Sequence, residues 1–229
     1  MAFAFVGGYG DAAGYVLADT FTGHITGAIV LSAISVARRD WHSFLLRVSG
    51  IVCFLIGVFI AAILERHLAK RLSRQLLSVV IAMEIAFVAL GYLAMRSRLQ
   101  PVHELLVACL SLALGLQNGV WRRSGGVSVH TTYLTGMIIN LVAAEAEKVP
   151  FAFTKARGTA VNSALGLSGG VWTAFLLGAI AGAASVLRYH AAGILGAALV
   201  LLIMWVSCVL AGPLSPPAED HPIAQASGD

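Results

Sequence analysis

Two acids stand inside apolar stretches of this chain: Asp11, within FVGGYGDAAGYVLA, and Glu84, within LLSVVIAMEIAFVALGYL. A charge at the centre of a bilayer costs about 2.5–3.5 kcal/mol for Asp on the insertion scale, so such a side chain usually turns toward a cavity or a partner. Asp11 and Glu84 are therefore candidate ion-coupling groups, each able to carry a proton or a cation. A second set of polar residues is smaller in size and clustered: TFTGHITG at 20–27, GLQNGVW at 115–121 and VHTTYLTG at 129–136. Glycine lets a ligand approach the backbone, and a threonine hydroxyl, here Thr22 or Thr131, can cap the helix it begins. Free N–H groups at a helix start favour an anion or the negative end of a dipole. The candidate solute-binding residues are thus Thr22, Gly23, His24, Thr26 and Gly27, with Gln117 and Asn118, and Thr131, Thr132, Tyr133, Thr135 and Gly136.

The opposing reading is packing. Gly23 and Gly27, Thr131 and Thr135, and Gly178 and Gly182 each have the small-xxx-small spacing by which membrane helices approach one another without a ligand. For FLLGAIAG (175–182) packing is the better account. For TGHITG and TTYLTG the accompanying Asp11, His24, Gln117, Asn118 and Tyr133 favour a solute-lining role, because close packing does not call for so many polar groups.

Other chemistries find little support. Seven histidines are scattered without an HxH or HxxxH pair, so no metal or other cofactor is expected. There is no GxxxxGK[ST] phosphate loop and no HExxH helix, and no nucleophile stands paired with a base, so the chain is not read as an enzyme. Cys53, Cys109 and Cys208 stand alone within apolar segments, which argues against a disulfide framework. The net charge of +4 comes from loop Arg and Lys. Membrane loops carry such residues for orientation, and no nucleic-acid partner is expected. Arg122 and Arg123 read as interfacial anchors.

The elements that must position these groups follow from composition. Apolar residues make up 59% and charged residues 11% of the sequence, and the mean hydropathy is +0.86. A soluble domain carries about 25% charged residues, so this is an all-α integral membrane protein whose main partner is the lipid bilayer. Apolar segments cover 2–18, 20–37, 43–64, 73–95, 102–120, 129–146, 160–187 and 190–211. The first has no basic region before it and runs on through Asp11, so it reads as a retained span and not as a signal peptide. The second and sixth are short and open on Thr/Gly clusters, as helices beginning inside the protein would. The tail, PLSPPAEDHPIAQASGD at 213–229, is acidic, Pro-rich and expected to be disordered.

The chain also reads as two homologous repeats, 1–100 and 101–212, within one membrane domain. TFTGHITGAIVLS (20–32) lies on VHTTYLTGMIINL (129–141), pairing Thr22, Thr26, Gly27 and Ile29 with Thr131, Thr135, Gly136 and Ile138. FLIGVFIAA (54–62) lies on FLLGAIAGA (175–183), and GDAAGY (10–15) on QNGVW (117–121), bringing Asp11 to Asn118. Secondary transporters often place their site between such repeats, at the ends of discontinuous helices.

The motifs GDAAGY and FTGHITG, then GLQNGVWRR, TTYLTG and FLLGAIAG, resemble the YoaK-type family of bacterial membrane proteins over nearly the whole chain. In that family the first motif commonly reads Asn-Met-Thr-Gly-Asn, and here His24 replaces an amide. The resemblance implies a bacterial inner-membrane protein with a transport role and supplies no substrate.

Topology turns on segments two and six. If both are re-entrant, six helices cross, the repeats are inverted, and nine basic residues lie on the side of the N-terminus against six opposite. The positive-inside rule then places both termini in the cytoplasm. The alternative is eight spans with parallel repeats. The expectation is a small-solute carrier for a polar or anionic solute, with six crossings and two short re-entrant helices, an arrangement compatible with a homo-oligomer. A passive channel and a structural membrane protein are the alternatives.

Overall fold

The computed structural model describes residues 1–68, 73–97, 101–120 and 160–210. Every element in them is helical: α1 (Ala2–Ala18), α2 (Ile25–Ala37), α3 (Trp41–Leu68), α4 (Ser73–Ser97), α5 (Val102–Val120), α6 (Ala160–Tyr189), a 3₁₀ turn (His190–Ile194) and α7 (Leu195–Leu210). Four described stretches are long and apolar enough to cross a membrane: Trp41–His67, Leu76–Ser97, Val102–Val120 and Ser168–Leu210. The last contains α6, the 3₁₀ turn and α7. Helices suit such sequence because they satisfy every backbone N–H and C=O internally, where lipid offers no partner.

Residues 20–37 are not one helix. α1 stops at Ala18 because Asp19 adopts a left-handed conformation, φ 51° and ψ 36°, returning its N–H to the carbonyl of Tyr15. The chain then runs irregularly until Ile25, where α2 begins. The segment thus opens inside the protein, as its Thr/Gly content suggested.

Glycine decides how the helices meet. A Cβ on Gly8 would overlap the carbonyl of Phe175, and one on Gly178 the carbonyl of Phe5; Gly182 sits against Tyr9 and Gly170 against Met1. These pairs advance together along both chains, so α1 and α6 run in the same direction. The same holds for α3 and α5, where Gly50 meets Val107, Gly57 meets Gly115 and Ala61 meets Gly119. Backbones this close are what small residues permit in a membrane interior. By contrast α1 crosses α5 in the opposite sense, with Gln117 at Phe3 and Leu114 at Gly10.

The main core gathers Phe3, Val6 and Tyr9 of α1, Ile81 and Val88 of α4, Leu106 and Leu110 of α5, and Ile194 and Leu201 beyond α6. Large apolar side chains such as Phe59, Leu177, Ile180, Leu199 and Ile203 are exposed on the outside. This inverts nothing physical: lipid tails are as apolar as leucine, so the outer surface needs no polar cover.

Candidate functional site

The N-terminus of α2 is held by a residue from another helix. Asp11 Oδ1 accepts the backbone N–H of Thr22 at 2.9 Å, of Gly23 at 2.6 Å and of His24 at 3.2 Å. A helix start leaves its first amides without intrahelical partners, and a nearby Ser, Thr, Asp or Asn normally accepts one of them. Here His24 occupies the cap position without a side-chain cap bond, and the acceptor comes from the middle of α1. Thr22 was expected to cap α2. Instead its hydroxyl donates back to the carbonyl of Gly10 at 3.3 Å, because the chain turns past α1 before the helix begins.

This arrangement fixes the depth of the site. Asp11 lies seven residues before the end of α1, so α2 starts about 10 Å back along α1 from its C-terminus, at 1.5 Å per residue. The other end of α2 is tied by Arg47 of α3, which is buried. Its guanidinium donates to Asp19 Oδ2 at 2.9 Å, to the carbonyls of Asp19 and Leu31 at 3.1 Å each, and to the Ser35 hydroxyl. One arginine therefore joins the end of α1, the last turns of α2 and the start of α3. The sequence reading did not single out Arg47 or Asp19. The signal was an arginine inside the apolar run FLLRVSGIVCFLIG, with an acid just past the end of α1.

Asp11 is 4% exposed, and its second oxygen, Oδ2, makes no hydrogen bond among the described residues. Thr20, fully buried, likewise has a hydroxyl without a partner. Around the foot of α2, Tyr15 stacks on Phe21 at 4.9 Å and Phe21 packs on His24 at 5.7 Å between ring centres. A Cβ at Gly27 would press on both Phe21 and His24. Thr22 and Gly23 are buried beside Asp11, whereas Thr26 lies one turn on and is exposed. The structure therefore brings together Asp11, Thr22, Gly23 and His24, and leaves Thr26 on the outer face.

Gln117 and Asn118 are buried but turned to backbone: Gln117 Nε2 donates to the Phe3 carbonyl at 2.7 Å, and Asn118 Nδ2 to the Leu114 carbonyl at 2.8 Å. Thr131, Thr132, Tyr133, Thr135 and Gly136, with Arg122 and Arg123, lie outside the described residues. Glu84 is not part of the Asp11 cluster. It lines a separate cavity with Tyr9, Gly10, Leu110, Leu114 and Leu201. Leu114 is common to both regions, since it also packs on Gly10 and stands where a Cβ of Gly23 would fall. The stretch GLSGG at 166–170 has the spacing of a serine-hydrolase elbow, which the sequence reading overlooked. Ser168 lies inside α6, not at the strand-to-helix turn that exposes such a nucleophile.

A helical protein with several apolar, membrane-length segments is a transmembrane protein, and comparison with known proteins agrees. The family model described as "Protein of unknown function (DUF1275)" matches residues 1–207, so the chain belongs to that family. The chain is also similar to the "UPF0700 transmembrane protein YoaK" of Bacillus subtilis (strain 168), 26% identical over 135 residues, which is 58% of this chain and 59% of that protein. The match thus spans somewhat over half of the curated relative's length. No solved structure matches the chain.

Proposed function

We propose that the protein is a secondary transporter of the bacterial inner membrane whose solute site lies at the foot of α2. The observation that carries this reading is the buried Asp11 carboxyl, one oxygen of which fixes the start of a half-length helix while the other has no partner among the described residues. Discontinuous helix ends near the bilayer midplane are how carriers expose polar groups to a solute. Irregular backbone at such depth is tolerated only where protein or water surrounds it.

The topology proposed is six crossings with α2 re-entrant, a counterpart re-entrant helix in the second half, and inverted repeats over 1–100 and 101–212. Two observations support it. The α1–α6 contact pairs Gly8 with Phe175 and Gly178 with Phe5, and the α3–α5 contact pairs Gly115 with Phe54 and Gly57 with Leu112. Under the pairing of Phe54 with Phe175 and Asp11 with Asn118, these are the same two contacts seen twice, with each repeat lending its first helix to the other. The repeat-related helices α1 and α5 run in opposite directions, as inversion requires. Both termini are then cytoplasmic.

The nature of the solute follows from what Asp11 leaves free. The amides of Thr22, Gly23 and His24 already donate to a carboxylate, so this end of the site does not offer them to an anion. What remains is an acceptor oxygen at the foot of α2, where Tyr15, Phe21 and His24 also pack, which suits a small solute bearing a hydroxyl or an amine. The test is a thermal-shift screen of the purified, detergent-solubilised protein against inorganic anions, carboxylates, sugars, amino acids and nucleobases. Ligand at about a hundred times Kd stabilises by about 2.7 kcal/mol. A shift from a hydroxyl- or amine-bearing solute, lost in Asp11→Asn and kept in Thr26→Ala, is expected. A shift from anions alone, or one indifferent to Asp11, overturns the assignment. Saturable counterflow in liposomes then separates a carrier from a passive channel, and no shift by any compound returns the glycines and threonines to packing.

A further inference from the structure

We infer that Glu84 is a proton-binding site: its carboxyl takes up and releases one H⁺ inside the α1–α4–α5–α7 packing and thereby ties the helix that carries Asp11 to the pH on either side of the membrane. The inference deepens the transporter reading, from which it takes its purpose, though the proton site itself can be seen without any solute.

The geometry supports a proton and excludes larger ions. Glu84 is 1% exposed, and Oε1 makes no hydrogen bond among the described residues. The side chain borders a cavity of about 10 Å³, room for roughly one water molecule. A calcium ion takes six to eight oxygen ligands and magnesium a near-octahedral set. Apart from Tyr9 the walls here offer no side-chain oxygen: Val6, Gly10 and Ala13 come from α1, Leu110, Ala113 and Leu114 from α5, and Ile194, Ala197 and Leu201 from the 3₁₀ turn and α7. The other titratable lining group is Tyr9, whose hydroxyl is engaged as a donor to the Gly193 carbonyl at 2.5 Å. Asp11 follows Gly10 on α1 but is turned to the amides of Thr22, Gly23 and His24. No lining residue on α5, the 3₁₀ turn or α7 titrates. Among the described residues the cavity brings no countercharge to Glu84 and no donor to its Oε1, so the ligand that completes it is the one that needs a single oxygen lone pair. The bond formed is O–H, the proton coming from water and returning to water as the cavity opens.

Position gives the proton something to act upon. Gly10 and Ala13, the neighbours of Asp11 along α1, form one wall of the cavity, and Leu114 is shared with the foot of α2. Ionising Glu84 would draw water into an apolar seam and loosen α4 from α1 and α5. Protonation lets the seam close.

The experiment is infrared difference spectroscopy on the protein in phosphatidylcholine and phosphatidylglycerol vesicles, stepped in pH, for wild type, Glu84→Gln and Asp11→Asn. The expected result is a protonated-carboxyl C=O band that gives way to carboxylate as pH rises. It should be absent in Glu84→Gln and present in Asp11→Asn. Replacing sodium by choline at fixed pH should leave the band unchanged. The inference is overturned if no such band depends on Glu84, if the band fails to titrate while the protein stays folded, or if sodium displaces it. Loss of solute shifts with an intact, titrating band would instead sink the transporter reading alone.

Discussion

Asp11 and Glu84 are both buried carboxyl groups at the middle of helices, yet their surroundings are opposite. Asp11 gathers three backbone N–H donors on one oxygen, whereas Glu84 borders a small cavity with mostly apolar walls, and its Oε1 has no hydrogen-bond donor among the described residues. The first surrounding gives the carboxyl a structural duty, fixing where α2 begins. The second supplies no donor to Glu84 Oε1 among the described residues, so that carboxyl has no such duty. A buried acid in a membrane protein is thus not one kind of object. What decides its role is whether donors converge on it, and that is a matter of the chain's path.

The largest effect expected from this contrast is in Asp11→Ala. Hydrogen bonds to charged groups contribute about 1.5–3 kcal/mol each and do not add fully, and here three amides would be left without an acceptor. A loss on the order of 4 kcal/mol is expected in denaturant unfolding from mixed micelles. Asp11→Asn keeps an acceptor oxygen and should lose about half as much. If Asp11→Ala costs less than about 1 kcal/mol, the amides have other partners and the contrast with Glu84 collapses.

Glu84→Leu should act in the other direction. Burying a polar group without a partner costs roughly 1–3 kcal/mol in proteins, and an apolar side chain of similar volume removes that cost. A gain of about 1 kcal/mol is expected in the same unfolding measurement. A loss of that size would mean that the carboxyl holds a hydrogen bond essential to the packing, making it a second Asp11.

Much of this was legible before the structure. Helix positions followed from apolar runs of membrane length, and the short second segment announced its internal start by TGHITG. Asp11 and Glu84 stood out because acids are costly in such runs. The partner of each was not legible. Spacing suggested a cap from Thr22, the nearest suitable residue, but the acceptor arrives from eleven residues upstream because the chain doubles back along α1. Thr26 shares a motif with Thr22 and still faces outward, since helix geometry begins between them. Arg47 escaped notice because an arginine near the end of a span resembles an interfacial anchor, and only the fold shows that it reaches Asp19, Leu31 and Ser35.

A third acid makes the smallest and most direct check. Asp40 precedes α3 and accepts the Ser43 N–H at 3.1 Å, the same service that Asp11 performs, but at the exposed surface. The Ser43 hydroxyl and then the Ser43 N–H, both donating to it, hold its carboxyl below its ordinary value. Because the folded value is the lower one, the cap contributes fully above the ordinary aspartate value of about 3.9 and is lost as pH falls through the folded value. Protection of the Ser43 amide, its exchange set against that of an unstructured peptide at the same pH, should therefore fall in acid below that value, and Asp40→Asn should remove that pH dependence. Water competes for every group involved, so global stability should hardly respond to Asp40→Ala, in contrast to Asp11→Ala. If the two substitutions cost the same, burial is not what gives the Asp11 cap its strength, and the depth assigned to the foot of α2 is wrong.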